Sequence, residues 1–326
     1  MDLGITLDFG REGDRLDERF ERLAGLAQVA ERAGLSLLST GEQHPTSGDY
    51  FHLPSPLVAL AALAPQTSMR LGTGVLLLAA WDPLRLAYDV AVLDQLCGGR
   101  LVLGVGAGNP PTWARFGMAR DGLADRLDET LLALKAAWSG AEHVGASMRF
   151  GGPLRPLPLQ AGGPPIVVGG LAGRALRRAA TLGDGWFGGT NYQLQRQIAP
   201  AVRRYRELCE GAGRPAGAVI VNRLAIVVER PDELERAAQP ALDLLRSYAS
   251  MATVQHRDGT LVRPEEIQLG TELVHDVAII GTVEQARQQL ARYRDAGVTQ
   301  LQLRVQPAGV DDAAAQRTIE LLATAG

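Results

Sequence analysis

The sequence lacks several features that would assign a function directly. Its 326 residues contain two cysteines, Cys97 and Cys209, which form neither a metal-binding spacing nor a disulfide framework. Lys and Arg number 33 against 36 Asp and Glu, giving a net charge of −3. With no block of like charge, nothing points to nucleic acid or an anionic membrane as a partner. No apolar run is long enough to span a membrane and no leader peptide is recognised, so we expect a cytoplasmic protein.

What the sequence does contain is a large apolar fraction arranged in a regular alternation. Hydrophobic residues make up 46% of the chain, and β-rich apolar runs alternate with segments of helical periodicity. Eight strands are predicted, over residues 3–9, 35–40, 70–79, 100–106, 164–170, 185–189, 219–229 and 298–305. Helices are predicted over residues 15–34, 56–67, 82–99, 122–140, 173–183 and 283–297. This pattern predicts an α/β fold in which a parallel sheet closes as a (β/α)8 TIM barrel.

Two segments interrupt the alternation. Residues 141–163 are rich in Gly and Pro and are predicted to form an ordered, β-like excursion. Residues 246–275 lie between the predicted seventh and eighth strands. Long insertions in barrel loops usually shape or cover a site. We therefore expect one domain, residues 1–326, with both insertions at the C-terminal face of the barrel.

The first candidate site follows the predicted fourth strand, in the stretch RLVLGVGAGNPP (100–111). Gly104, Gly106 and Gly108 stand at the C-terminal end of a barrel strand, where barrel active sites lie. A dinucleotide-binding fingerprint does not fit, because Asn109 takes the place of its third glycine and the motif is not in the first βα turn. The run indicates either a structural bend or the close approach of a ligand.

A second glycine cluster, VVGGLAGRALRRAA, leads from the predicted fifth strand into a helix. Gly169, Gly170 and Gly173 would expose backbone N–H groups at the positive end of that helix, an arrangement that suits a phosphate. Arg174 in the first turn would add a cation, whereas Arg177 and Arg178 are assigned to the solvated face. The alternative is a tight βα turn with exposed arginines.

The loop after the predicted second strand, GEQHPTSGDYFH, carries Glu42, His44, Asp49 and His52. These residue types can bind metals, but Glu-x-His is not a recognised ligand spacing, so we predict no metal site. His44 at the top of a barrel strand suits proton transfer or hydrogen bonding to a bound ring. His52 is interpreted as a loop residue with its hydrogen bonds satisfied.

Three blocks in the same order, residues 70–117, 164–187 and 279–305, together with GEQH at 41–44, resemble the bacterial luciferase-like superfamily of flavin- and deazaflavin-dependent oxidoreductases. That family folds as an eight-stranded α/β barrel, in agreement with the strand count above. The resemblance implies that reduced FMN, or the deazaflavin coenzyme F420, binds at the C-terminal mouth of the barrel.

The resemblance also implies roles for individual residues. His44 matches the family's active-site histidine. The bulge under the ring, where relatives often carry a non-proline cis peptide, would consist of Thr73, Gly74 and Val75. The ring and its side chain would lie along Gly104, Gly106, Ala107, Gly108 and Asn109. The phosphate would lie against Gly169, Gly170, Leu171, Ala172, Gly173 and Arg174. The GDGW motif at 183–186, which ends at Trp186, would be mainly structural.

The residues that would distinguish FMN from F420 point to different cofactors: Ala107 favours F420, and GEQH favours FMN. Many FMN-using relatives carry an arginine where this chain has Ala107, whereas GEQH is closer to the motif of the FMN users. We predict a monooxygenase that uses O2 and reduced FMN, supplied by a separate flavin reductase, on a small organic substrate. The alternatives are an F420-dependent reductase or dehydrogenase that transfers hydride without oxygen, a flavin-binding protein without turnover, and a metal-dependent hydrolase built on His44, Asp49 and His52.

Substrate contacts are predicted in the segments that resemble the family least, residues 45–53, 109–118 and 246–275. Their large side chains predict an apolar pocket formed by Phe51, Trp113, Phe116, Tyr248 and Met251. Members of the family are often homodimers, and we expect one here. The apolar segment PLVALAALAP (56–65) suits a helix at such an interface, although a buried helix of a monomer would have the same composition.

Overall fold

The computed structural model describes residues 1–9, 15–44, 53, 55–152, 154–189, 194–250 and 260–325. In these ranges the strands are β1 (Asp2–Thr6), β2 (Leu37–Thr40), β3 (Arg70–Thr73), β4 (Leu76–Leu77), β5 (Leu101–Gly106), β6 (His143–Val144), β7 (Arg149–Phe150), β8 (Ile166–Gly169), β9 (Gly185–Phe187), β10 (Ala218–Val228), β11 (Ala278–Thr282) and β12 (Gln300–Arg304).

The helices of the same ranges surround these strands. They are α1 (Leu16–Arg32), α2 (Pro56–Leu63), α3 (Pro83–Leu96), α4 (Pro110–Arg115), α5 (Leu123–Ser139), α6 (Gly173–Thr181), α7 (Gln195–Gly211), α8 (Leu234–Ser250), α9 (Glu272–Val277), α10 (Val283–Asp295) and α11 (Asp312–Ala325). None of these helices is long and apolar enough to cross a membrane.

Eight strand positions close into a parallel barrel. Each strand pairs with the next in the order β1, β2, β3, β5, β8, β9, β10 and β12, and β12 pairs with β1. The short β4 continues the position of β3 beyond Gly74 and Val75 and pairs with β5. The predicted (β/α)8 barrel is confirmed.

One parallel strand of the structure was not predicted. The eleven-residue β10 pairs with β9 through Ala218 to Ile220 and with β11 through Leu224 to Val228. The long β10 therefore has two successive neighbours along its length. The five residues of β11 lie between the predicted insertion and the predicted helix over 283–297, where the sequence analysis placed no strand.

Local signals place α3 correctly. Asp82 caps the helix, since its Oδ1 accepts a hydrogen bond from the backbone N–H of Arg85 at 2.8 Å. Pro83 occupies the first helical position, and Gly98 follows the end of the helix with a φ of 67°. Five other helices, α4, α7, α8, α9 and α11, were not predicted. Of these, α7 and α8 contain Pro200 and Pro240 in their interiors, where proline normally argues against a helix.

The first predicted insertion contains β structure as expected, but the prediction that it lies at the C-terminal face is wrong. It joins the end of α5 to the start of β8, and Gln160 Nε2 donates to Leu101 O at the start of β5, so it lies at the N-terminal face. Within residues 141–163, β6 and β7 form an antiparallel pair in which His143 lies opposite Phe150. In the second insertion, α8 extends to Ser250, and Thr271 caps α9 through a hydrogen bond from Val274 N to its Oγ1. Residues 251–259 lie outside the described ranges.

The interior of the barrel changes from apolar to polar towards its C-terminal end. A small apolar cluster, separate from the core between the barrel and its helices, consists of Leu37, Val102, Val167, Phe187 and Ile220. Two residues further along their strands, Ser39 and Asn222 replace Leu37 and Ile220 on the inward side. The mouth of the barrel therefore opens above a polar layer.

Candidate active site

A cavity of about 260 Å³ opens at the C-terminal ends of the barrel strands, where barrel enzymes carry their active sites. Its volume is slightly below the usual range for small-molecule sites. The lining residues come from strands that are distant in sequence: Thr6, Leu7, Asp8, Phe9, Thr40, Gly41, Glu42, Gln43, Leu53, Gly74, Val75, Leu77, Asn109, Thr112, Asn222, Tyr248 and Arg304.

His44 lies beside this cavity, whose described lining includes Glu42 and Gln43 but not His44 itself, and it is held by a buried carboxylate. Its Nε2 is 2.8 Å from Oε1 of Glu42. The other oxygen of Glu42 accepts hydrogen bonds from Leu77 N at 2.8 Å and from Trp81 Nε1 at 2.9 Å. The Phe116 ring contacts the imidazole edge-on, with ring centroids 4.8 Å apart. The position of the His44 ring is therefore fixed on two sides.

This pair has a definite chemical consequence. An ionised carboxylate only accepts hydrogen bonds, so the Nε2 of His44 carries the proton and Nδ1 of the neutral ring is its basic nitrogen. Glu42 was considered only as a metal ligand in the sequence analysis, and its role as a positioning residue was missed.

The predicted bulge after β3 is present. The Gly74–Val75 peptide bond is cis, as the resemblance implied, and Val75 O accepts a hydrogen bond from Glu42 N at 3.0 Å. The bulge is therefore hydrogen-bonded to the backbone of Glu42, the residue whose carboxylate holds His44.

Contacts within the protein itself explain why two positions of β5 are glycine. A Cβ at Gly104 would lie 2.0 Å from Thr73 O, and a Cβ at Gly106 would lie 2.8 Å from a methyl group of Val75. The sequence analysis left open a structural bend or the approach of a ligand, and the resemblance implied a cofactor ring along both glycines. The backbone and side chain of the bulge already exclude larger residues at these positions.

The rest of the loop after β5 folds back on itself. Gly108 has a φ of 75°, a conformation that favours glycine. Asn109 caps α4, since its Oδ1 accepts from Thr112 N at 3.0 Å. Trp113 donates from its indole nitrogen to Ala107 O at 2.7 Å. Asn109 lines the cavity, but its side-chain oxygen holds the helix.

The predicted phosphate site, residues 169–174, lies at the start of α6, next to the bulge. We call this segment the cradle. Gly170 has a φ of 127°, and its carbonyl accepts a hydrogen bond from Trp186 Nε1 at 2.9 Å. A Cβ at Gly169 would lie 3.4 Å from a methyl group of Val75. The first N–H groups of α6 have no acceptor within the helix, as at any helix N-terminus. Trp186 of the GDGW motif thus positions the turn.

The arginines of the cradle are paired with carboxylates of α5. Arg174 contacts Asp125, and its guanidinium is also 3.6 Å from Asp128. Arg178 contacts Asp128 and donates to Ala124 O at 2.9 Å. The sequence analysis placed Arg178 on the solvated face, which is wrong, because the residue is buried. Two carboxylates offset the two arginine charges of the cradle.

A charged cluster at the ends of β1 and β12 was missed. Arg304 is hydrogen-bonded to the Asp8 carboxylate and donates from Nη1 to the Tyr248 hydroxyl at 2.6 Å. Burial disfavours the guanidinium cation, but Asp8 and Tyr248 outweigh that effect and raise the pKa of Arg304. Asp8 and Arg304 both stand at C-terminal ends of strands, and this position could have identified them as candidate site residues from the sequence.

The predicted substrate residues have different positions. Tyr248 lines the cavity, Phe116 contacts His44, and Trp113 holds the loop after β5. Phe51 and Met251 lie outside the described residues, as do Asp49 and His52. The pocket was predicted to be apolar, but the part that the structure describes includes Asp8, Glu42, Asn222 and Arg304. In the same part of the chain, no group of three or more His, Cys, Asp or Glu side chains could hold a metal ion.

Comparison with known proteins supplies the context for this geometry. The family model described as luciferase-like monooxygenase matches residues 1–300. This match confirms the resemblance that the ordered sequence blocks indicated.

Two relatives catalyse different reactions, as their names state. The oxygenase component of the flavin-dependent trigonelline monooxygenase of Acinetobacter baylyi is 34% identical over 176 residues, 52% of this chain and 48% of that protein. The 5,10-methylenetetrahydromethanopterin reductase of Archaeoglobus fulgidus is 26% identical over 171 residues, 52% of this chain and 49% of that protein. The chain thus matches about half the length of each.

Solved structures match along nearly the whole chain. A monooxygenase from Streptomyces bottropensis has a TM-score of 0.85 and 25% identity, covering 99% of this chain and 98% of its own. The FMN-bound oxygenating constituent of 3,6-diketocamphane monooxygenase from Pseudomonas putida has a TM-score of 0.82 at 21% identity, covering 99% and 96%. The F420-dependent tetrahydromethanopterin reductase of Methanopyrus kandleri has a TM-score of 0.75 at 19% identity, covering 99% and 97%. The last two show the shared fold.

Proposed function

We propose a reaction from the premise that the chain belongs to the luciferase-like monooxygenase family and is an oxidoreductase: it uses reduced FMN and O2 to oxygenate a small organic substrate at the mouth of the barrel. The observation that carries this proposal is the Glu42–His44 pair, joined to the Gly74–Val75 bulge through the hydrogen bond from Glu42 N to Val75 O. The cofactor would be delivered by a separate flavin reductase.

The residues of the site fit a flavin in two places. The turn from Gly169 to Arg174 offers helix N–H groups and a cation to a phosphate. The cavity beside it is bordered by the bare backbone of Gly41 and Gly74, which leaves room for the face of a planar ring. A bound reduced flavin supplies the electrons that activate oxygen. The chain's own residues bind and orient the ring and exclude water around it.

His44 provides the proton chemistry in this proposal. Its Nδ1 would accept or return a proton beside the cavity, while Glu42 keeps the ring in one tautomer and one orientation. Because Glu42 is itself held by Leu77 N and Trp81 Nε1, its carboxylate does not need to reorganise during the reaction.

A phosphate that enters the cradle competes with Asp125 and Asp128 for Arg174. The side chains of Arg174 and Asp125 are 54% and 81% exposed, and solvent-exposed ion pairs of this kind are weak. Exchange of partners is therefore inexpensive, and the cradle can accept an anion without rearrangement of α6.

A second candidate function is hydride transfer from reduced F420 without oxygen. Ala107 favours it, since the loop after β5 offers no cation to a phosphate at that position. The ion pair of Arg174 with Asp125 also reduces the positive charge offered to a phosphate, and this too favours F420 over FMN. A flavin-binding protein without turnover is the third candidate, and it would use the same cavity.

Anaerobic titration of the purified protein with reduced FMN and, in parallel, with reduced F420 tests these candidates. We expect reduced FMN to bind and O2 to be consumed when air is admitted to the complex. Binding of F420 alone, with no response to air, would establish hydride transfer instead. Tight flavin binding with neither O2 consumption nor hydride transfer would indicate a flavin-binding protein without turnover.

His44 is tested by its replacement in the turnover assay. His44→Ala is expected to lower turnover by about a hundredfold or more, the usual contribution of a general acid or base. Glu42→Gln keeps the shape of its partner but not its charge, so a smaller loss is expected. Full turnover by His44→Ala would exclude this role.

We also propose that the chain, as one domain, forms a homodimer through α3. Four large apolar side chains of α3 are spaced four residues apart and exposed, Leu84, Tyr88, Val92 and Leu96. This spacing puts them along one side of the helix, and the neighbouring α2 adds the exposed Val58. A contiguous exposed apolar patch is typical of a protein interface, and a second copy would cover it.

A further inference from the structure

A chain of polar side chains crosses the interior of the barrel below the mouth cavity. Asn222 Nδ2 donates to Thr6 Oγ1 at 3.0 Å, Thr6 Oγ1 is 2.9 Å from Ser39 Oγ, and Ser39 Oγ donates to Gln302 Oε1 at 3.2 Å. The four residues come from β10, β1, β2 and β12. All four are buried. These hydrogen bonds therefore link four strands inside the barrel.

The hydrogen bonds of this chain run in one direction. Because the Ser39 hydroxyl gives its proton to Gln302, the hydrogen bond between Thr6 and Ser39 has Thr6 as the donor. Thr6 in turn accepts the proton of the Asn222 amide nitrogen. The orientation of the Asn222 amide is thus set by three residues behind it, with the nitrogen held in the chain.

The oxygen of the same amide lacks a partner. Asn222 Oδ1 is buried without a hydrogen bond in the structure, and Asn222 lines the mouth cavity. Asn222 is 8% exposed. Buried polar atoms are nearly always hydrogen-bonded, and each exception needs an explanation. Here the explanation is a donor that arrives with a ligand.

The other polar side chains around the cavity do not compete for this role. Glu42 is engaged by His44, Leu77 and Trp81, and Arg304 by Asp8 and Tyr248. Thr40 Oγ1 also lacks a partner. Thr40 also lines the cavity, but its hydroxyl has no hydrogen-bonded partners that fix its direction, so it does not replace Asn222 as an oriented acceptor.

We propose that Asn222 is a cofactor-binding residue whose Oδ1 accepts a hydrogen bond from the imide N–H of the pyrimidinedione ring. FMN and F420 both carry this neutral donor, so the inference applies to either cofactor. It rests on the proposed function, since it requires a flavin or deazaflavin in the mouth cavity. Thr6, Ser39 and Gln302 are positioning residues, because they act on the ligand only through Asn222.

A comparison of two flavins against two proteins tests the proposal. Oxidised FMN and 3-methyl-FMN, in which a methyl group replaces the imide proton, are titrated into wild-type protein and Asn222→Leu, with flavin fluorescence as the readout. Leucine preserves the side-chain volume, so the steric cost of the methyl group remains while the acceptor is lost. We expect the preference of the wild type for FMN over 3-methyl-FMN to fall about tenfold in Asn222→Leu.

Two further variants identify the atoms involved. Asn222→Asp keeps an oxygen acceptor and is expected to retain the preference for FMN, whereas Thr6→Val frees the amide and is expected to reduce it in part. Thr130→Val is the matched control for loss of a buried hydroxyl, since Thr130 lies on α5 and donates to Arg126 O. Thermal unfolding curves establish that each variant is folded.

The outcomes separate this inference from the proposed function. An equal preference for FMN in the wild type and Asn222→Leu overturns the role of Asn222 while leaving flavin binding intact. A preference lost in Asn222→Asp as well overturns the assignment of the oxygen as the acceptor. A folded wild type that binds neither reduced FMN nor reduced F420 in the anaerobic titration, and no oxidised FMN here, overturns the proposed function and this inference together.

Discussion

Gly104 is the residue at which β5 and the β3 bulge come closest. Since a Cβ there would lie 2.0 Å from the backbone oxygen of Thr73, the side chain cannot be accommodated by a rotamer change. Gly104→Ala is therefore expected to lower the free energy of unfolding by about 3 kcal/mol, at the upper end of the cost of overpacking. Urea denaturation followed by circular dichroism measures this change.

Gly25 is the matched control for this substitution. It lies within α1, where a Cβ would meet no atom within 4 Å. Gly25→Ala should raise the free energy of unfolding by up to about 1 kcal/mol, because alanine is the better helix former. If Gly104→Ala were as stable as the wild type, the contact with the bulge would not be the reason for the glycine.

Single residues were predictable where their function depends on near neighbours. Asp82 was recognised as a helix cap because its partner, Arg85 N, is three residues away. The burial of Arg178 was not, because its partners Asp128 and Ala124 lie on α5, about 50 residues earlier. Gly104 falls between these cases: the missing side chain is visible in the sequence, but the atom that excludes it is not.

At the scale of single elements, α9 makes stability depend on pH through His275. Burial, and secondarily the Arg292 cation, lower the pKa of His275 below its usual 6.5, while Asp276 opposes them. The unfolded chain therefore binds more protons than the folded one as pH falls below 6.5, and stability is lost in that range. We expect a smaller loss in His275→Gln, measured by urea unfolding at pH 7.5 and at pH 5.

The neighbour of His275 acts with the opposite sign and must be considered in this measurement. Burial raises the pKa of Asp276 above its usual 3.8, although Arg196 lies 3.1 Å away. Its carboxyl group therefore favours the folded state as the pH falls towards 3.8. The difference between wild type and His275→Gln isolates the histidine, and an identical pH dependence in both would contradict the prediction.

Elements were predictable where their periodicity was strong and long. The eight barrel strands and α3 follow from apolar runs and cap signals in the sequence. The five residues of β11 were missed because a short strand that leads directly into α10 has no flanking turn signal. The helices α7 and α8 were not predicted, and the prolines within them are tolerated where the tertiary contacts of the buried faces hold the helix.

At the scale of the whole molecule, the site exists only because the barrel closes. Asp8 and Arg304 are separated by 296 residues in the sequence, yet their side chains form a hydrogen-bonded pair at the mouth. The rule that barrel sites lie at the C-terminal ends of strands predicted the place. It could not predict which strand ends would meet, because strand pairing, register and side-chain direction together decide the contacts.

The stripe of exposed apolar side chains along α3 leads to a prediction about the assembly. If a second copy covers Leu84, Tyr88, Val92 and Leu96, light scattering should give twice the chain mass of 34.7 kDa. Val92→Glu places a charge in the middle of this apolar contact, where burial without a partner is costly, so it should yield monomers. Leu16→Glu replaces an exposed leucine of α1 and should leave the dimer intact. A monomeric wild type would contradict the α3 interface, whereas dissociation by both variants would show that the effect is not specific to the stripe.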